Sequence, residues 1–301
     1  MTDRAVPEGA AAAVPDAPSP VPATGSILWR RMRRQKLFVI GATVLLAVLL
    51  AVVVLPLVMD LQPNRSQMRL RFRPPGLTHL FGTDNFGRDL LARVIVGAQI
   101  SLVVGFCTVF VTGVLGTAIG LLAGYVRWAD NVIMRVMDAM MAFPAVLLAI
   151  AIAAALGPSL TNVMIALAVT YTPRTARIMR ASVLVVRELD YVEAARASGA
   201  GHLRLVFCHI LPNCLSPLLV QLTFIFAYAI LAEAALSFLG IGPPPPTPTW
   251  GAIIADGRSL VREAPWICLF PGLAISVTVL GINLIGDGLR DALDPRMRVE
   301  T

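Results

Sequence analysis

The stretch Val192-Glu-Ala-Ala-Arg-Ala-Ser-Gly-Ala-Gly-His-Leu-Arg-Leu-Val-Phe-Cys-His-Ile-Leu-Pro-Asn213 places a charged, glycine-broken element between long apolar runs. Asp190 is positioned to cap a helix, and Glu193, three residues on, has capping-box spacing. Ala194, Ala195 and Ala197 favour that helix. Gly199 and Gly201 then offer the backbone freedom for a C-cap and a sharp turn. A second short helix is expected over His202–Cys208, ending before Leu211 and Pro212. The sequence therefore predicts a compact helix–turn–helix between membrane segments.

The rest of the chain is membrane-like. Of 301 residues, 57% are hydrophobic and 14% charged, where a soluble domain carries about a quarter charged. The net charge of +7 does not indicate nucleic acid, because the basic residues cluster beside apolar runs, where they set topology and meet anionic lipid. Of the 25 basic residues, Lys36 is the single lysine, and it lies in Arg33-Arg-Gln-Lys-Leu-Phe38. A P-loop lysine is thereby excluded; ATP, if used, is bound elsewhere. The four cysteines (107, 208, 214 and 268) form no C-x-x-C. Cys208, His209 and Cys214 match no zinc spacing, so no metal site is expected.

Six spans are read: 37–59, 98–124, 139–156, 160–179, 215–240 and 266–287. Pro173 and Arg174 interrupt the fourth, which suggests a helix that leaves the bilayer early. Residues 1–36 form an Ala/Pro-rich tail, disordered by composition, with a basic cluster at its end. The first span is expected to stay, since no small-residue cleavage site follows it. Residues 60–96 are assigned outside. Residues 97–288 form the core with a cytoplasmic loop at 181–213, and 289–301 form a second tail. Gly113, Gly116, Gly120 and Gly124 allow close helix packing. With the N-terminus inside, 17 basic residues fall on the cytoplasmic side against eight outside, as the positive-inside rule requires. Both termini are then cytoplasmic. Six arginines between 65 and 93 run against this trend. Trp29 and Trp266 fall at expected membrane boundaries.

Glu193-Ala194-Ala195, Gly199 and Leu211-Pro212 together resemble the EAA loop of bacterial ABC importer permeases, with His209 where an aliphatic residue is usual. The His-Ile-Leu-Pro-Asn213 ending is similar to the peptide and nickel branch. Three further stretches resemble the C-type subunits of oligopeptide and dipeptide permeases. These are Phe81-Gly-Thr-Asp-Asn-Phe-Gly-Arg-Asp89, the proline-rich Leu236–Gly251, and Asn283-Leu-Ile-Gly-Asp-Gly-Leu-Arg-Asp-Ala-Leu-Asp-Pro295. The resemblance covers about 37 to 296. It implies an all-α, polytopic, type I (MetI-like) importer fold in the bacterial plasma membrane, paired with a homologous permease. Two cytoplasmic ATPases, which bind the ATP and Mg, and an extracytoplasmic solute-binding protein complete the implied assembly. It also implies that Asp190, Glu193, Ala194, Ala195, Gly199, Gly201, Leu211 and Pro212 couple the chain to an ATPase, and that the substrate is a peptide. Nickel, glutathione or an oligosaccharide is the alternative cargo. Without the family, the loop is a well-capped amphipathic element and nothing more.

No catalytic constellation and no cofactor of the chain's own are read. Glu233, with Ser237 one turn further, is ionisable within a span and therefore either lines a path or bonds a neighbouring helix. An ion-driven transporter would show inverted repeats or several intramembrane charges, and neither is seen. A scaffold protein would need no intramembrane glutamate.

Overall fold

Long apolar sequence dictates the architecture, and four of the helices run through an internal proline, Pro56, Pro173, Pro217 and Pro271. The computed structural model describes residues 32–293, and all the elements named here are helical. They are α1 (Lys36–Val58), α2 (Leu90–Tyr125), α3 (Arg127–Met141), α4 (Ala145–Leu156) and α5 (Leu160–Val186). After them come α6 (Asp190–Ala197), α7 (His202–Phe238), α8 (Trp250–Gly257) and α9 (Trp266–Leu293). The expected tails lie largely outside the described residues; Met32–Arg34, within the first of them, form a helical turn.

Small residues decide which helices touch. Gly116, Gly120 and Gly124 of α2 face Thr175, Met179 and Val183 of α5, and a Cβ at Gly120 would lie 2.5 Å from that of Met179. Gly113 instead faces Leu222 of α7. Gly41 brings α1 onto α9, where a Cβ would lie 2.6 Å from the Gly281 carbonyl oxygen. The remaining face of α1, with Leu46, Leu50, Val53 and Leu57 exposed, is apolar and suited to lipid.

Six spans were expected; the helices differ. Among the described residues, α1, α2, α7 and α9 are long and apolar enough to cross a membrane, and α3 with α4 makes a fifth if the bent pair is one span. The segment expected at 139–156 is broken by 90° between α3 and α4, because Pro144 has no N–H to continue α3 and its ring disfavours helix in the residue before it. Helix α3 is amphipathic. Its Asp130 is held by Arg180 at 2.5 and 2.7 Å, and its Asp138 by Arg177. Helix α5 runs unbroken through Pro173 and is not uniformly apolar, since it carries Arg174, Arg177 and Arg180. Its buried face packs on α2, α4 and α7 rather than on lipid.

The arginine-rich segment before α2 is ordered by hydrogen bonds. Thr83 donates to the Leu70 carbonyl at 2.5 Å and accepts from the Arg73 amide at 2.9 Å. Trp266 of α9 donates to the Thr83 carbonyl at 3.1 Å. Asp89 accepts from the Ala92 amide and starts α2. The segment assigned to 60–96 therefore ends at Asp89, and the second span begins eight residues before 98. At the other boundary, α9 continues to Leu293, past the expected limit of 288.

Candidate coupling loop and buried polar sites

The loop assigned to 181–213 is shorter than expected. Residues to Val186 complete α5, and those from His202 belong to α7. Between them stands α6. Its N-cap is Leu189, with no side-chain cap bond, so the capping box expected from Asp190 and Glu193 does not form. Both acids instead lie in the first turn, where the helix dipole favours them. Val192 is fully buried against Leu205, Ile210 and Cys214 and anchors α6 to the body. Asp190, Glu193 and Ala194 are exposed, while Ala195 is half-buried.

Gly199 takes the left-handed conformation, with φ +86°. Its amide donates to Arg196 at 3.0 Å, and the Ala200 amide donates to Ala195 at 3.1 Å. This pair of bonds is a Schellman turn. Gly201, at φ −68°, uses ordinary backbone space, so the freedom expected of it is not required. A Cβ at either glycine would meet nothing within 4 Å. The apex is thus an open shelf. Beside it, Leu203 is 75% exposed and Phe207 57%. Their signal in the sequence is an i, i+4 apolar pair beside His202 and Arg204.

No helix ends before Pro212. Instead α7 passes from His202 to Phe238 through a π turn at Leu205–Ile210, and Leu211 donates to Val206. A wide turn accommodates the missing proline N–H. The His209 carbonyl is satisfied by Asn213 Nδ2 at 2.7 Å and the Tyr191 hydroxyl at 3.3 Å. Burial raises the Tyr191 phenol, which keeps it protonated as that donor. Leu211 and Pro212 therefore lie inside α7 rather than close the loop. The loop is also bolted to α2, through Tyr125 and His202 at 2.6 Å and through Arg187 donating to the Gly124 carbonyl at 2.7 Å.

Near the far end of α7, Glu233 is 0% exposed. Ser101 of α2 donates to one carboxylate oxygen at 2.9 Å, and Ser237 donates to the other at 2.7 Å. Of the two alternatives for this glutamate, the geometry supports the interhelix hydrogen bond. Ser237, not Glu233, lines a cleft of 730 Å³ at that end of the bundle.

Next to the cleft lies a charge cluster that the sequence reading left unassembled. Asp84, fully buried, accepts from Arg88 Nε at 2.6 Å and from Arg93 at 2.8 Å. It also accepts from the Phe86 and Arg88 amides. Asp256 of α8 lies 3.2 Å from Arg93 and 3.5 Å from Arg88. The Phe81–Asp89 turn contained the signal for Asp84 and Arg88, but Asp256 arrives from far along the chain. Among the described residues no group of three His, Cys, Asp or Glu is placed to hold a metal; Cys208 is exposed and Cys214 buried.

The model of the binding-protein-dependent transport system inner membrane component matches residues 116–299, more than half of the chain. The chain belongs to that family. A second model, the N-terminal TM domain of oligopeptide transport permease C, matches residues 25–75. A putative peptide transport system permease protein of Brucella suis biovar 1 is 60% identical over 271 residues, covering 90% of this chain and 92% of its own length. The dipeptide transport system permease protein DppC of Alkalihalophilus pseudofirmus is 45% identical, covering 90% and 89%. The glutathione transport system permease protein GsiD of Pectobacterium atrosepticum is 42% identical, covering 90% of each. This permease is a membrane component of an ABC importer, with the all-helical permease fold.

Proposed function

We propose that this permease imports peptides across a bacterial inner membrane, paired with a homologous permease and driven by two ATPases that grip the α6–α7 loop. The observation that carries the reading is the loop itself. It exposes Glu193, Leu203 and an open glycine shelf, while its other face is fixed to α2 and α5. A push on the loop must then move α7, whose opposite end carries Ser237 and the cleft. This is rigid-body coupling of a site to a motor. ATP and Mg belong to the ATPases, and a solute-binding protein delivers the substrate on the other side. The naming of the relatives supports peptides, with glutathione, the cargo named for one of them, as the second reading.

With 17 of 25 basic residues on the α6 side or in the tails, that side is cytoplasmic. In a cysteine-free background, Ser198→Cys is expected to react with an impermeant maleimide only from the cytoplasm, and Thr247→Cys only from outside. The opposite pattern at either position refutes the orientation.

The purified chain alone is expected to show no ATPase activity, because Lys36 is its only lysine and sits in no P-loop. Co-expression with partner permease and ATPase chains should give hydrolysis together with uptake of a labelled dipeptide in proteoliposomes containing the binding protein. Robust hydrolysis by the chain alone, or assembled complexes that carry no peptide, would refute the reading.

A further inference from the structure

The cleft at the end of α7 carries an unbalanced charge. Three arginines line it, Arg88, Arg93 and Arg258, against a single acid of its wall, Asp256. Asp84 behind them pairs with Arg88 and Arg93. Arg88 and Arg93 are spoken for by these acids, yet Arg93, 3% exposed, keeps its Nε buried with no hydrogen-bond partner. Arg258 has no carboxylate within ion-pair distance among the described residues. Its guanidinium lies over the Phe238 ring at 5.6 Å, as that of Arg88 lies over Phe86 at 4.6 Å. A guanidinium held by its face leaves its edge N–H groups free to donate.

We propose that this cleft is a carboxylate-binding site of the permease, with Arg258 as its principal donor, and that it receives the free C-terminal carboxylate of the incoming peptide. The assignment rests on the peptide reading above. An arginine without an acid partner matches a monoanion, and a guanidinium edge matches a planar carboxylate through two parallel bonds. The cleft's 730 Å³ falls among small-molecule sites, which run about 300–1,000 Å³. Proline-fixed backbone at Pro243–Pro246 forms one wall, so the site is rigid without ligand. Ser237 forms another part of the lining, and its hydroxyl is tied to Glu233. A ligand in the cleft thus touches the same helix whose other end bears the coupling loop.

The test uses the complete transporter in proteoliposomes with saturating binding protein. Uptake of a dipeptide and of its C-terminal amide is compared for the parent, Arg258→Gln and Arg258→Lys. Any preference of the binding protein for the acid is common to all three and cancels in the ratio. Arg258→Gln is expected to reduce the acid-to-amide preference about tenfold, as loss of a charge-assisted bond implies, with amide uptake near parental. Arg258→Lys should retain part of the preference. Equal loss for acid and amide would overturn the proposal and make Arg258 a docking residue for the binding protein or a structural one. An unchanged ratio overturns it as well. A parent complex that carries neither peptide refutes the peptide reading and removes the basis of this one.

Discussion

Asp84→Ala is expected to destabilise the permease by about 3–5 kcal/mol, the range for removing one partner from a buried charge pair. Asp84 is fully buried, and it serves two arginines and two backbone amides together. Without it, Arg93 retains only Asp256 at 3.2 Å while remaining 3% exposed. The turn at Asn85–Gly87 loses its internal acceptor at the same time. Thermal unfolding in detergent should show a large drop, and the segment before α2 should become open to protease. Asp84→Asn should lose less, because its amide oxygen still accepts from the Phe86 and Arg88 amides. Removing the stranded charge as well, in Asp84→Ala/Arg93→Met, should recover part of the loss, since the two effects share one network. If Asp84→Ala unfolds indistinguishably from the parent, the cluster does not hold this end of the molecule together.

Gly199→Val should leave the spans intact and strike at coupling. The position needs φ +86°, which a β-branched residue occupies only with strain, on the order of 1–3 kcal/mol. No atom lies within 4 Å of the added Cβ, so nothing in this chain is displaced. The Schellman turn is what must distort. Membrane insertion is expected near normal, with copurified ATPase reduced or peptide uptake per ATP falling about tenfold or more. Gly201→Asn separates strain from docking. At φ −68°, asparagine is unstrained and among the best N-caps, so α7 should start at least as well as in the parent. A coupling defect in Gly201→Asn then reports bulk on the docking face, not damage to the loop. If both variants assemble and transport like the parent, the loop is not the coupling element.

Much of this was legible because local chemistry governs it. Runs of some 20 apolar residues have few alternatives to membrane helices. Glycine four residues after Ala195, at the end of an alanine-rich helix, has few alternatives to a left-handed C-cap. The absence of a P-loop lysine needs no structure. What failed did so for reasons outside the local window. Asp190 has the residue type of a cap, but with Val192 buried beside Leu205 and Ile210 the N-cap falls at Leu189 and Asp190 enters the first turn. Pro212 has the residue type of a terminator, but α7 absorbs it in a π turn, where the His209 carbonyl accepts from Tyr191 of α6 and from the Asn213 side chain. Pro144 was read as part of a span because its neighbours are apolar. The ion pairs from α3 to Arg177 and Arg180, which hold the bend, are invisible without α5 in place.

The sequence by itself determined the class of molecule: a polytopic helical protein with a charged, glycine-broken loop between apolar runs and no P-loop lysine. Only the tertiary structure decided where its charges reside. Glu233 could have faced a path or a neighbour, and the serine of α2 that bonds it is 132 positions away. Asp256 and Arg93, 163 positions apart, meet only because α8 folds back over the start of α2. Charge pairing at such separations depends on the packing of whole helices, and no local pattern encodes it.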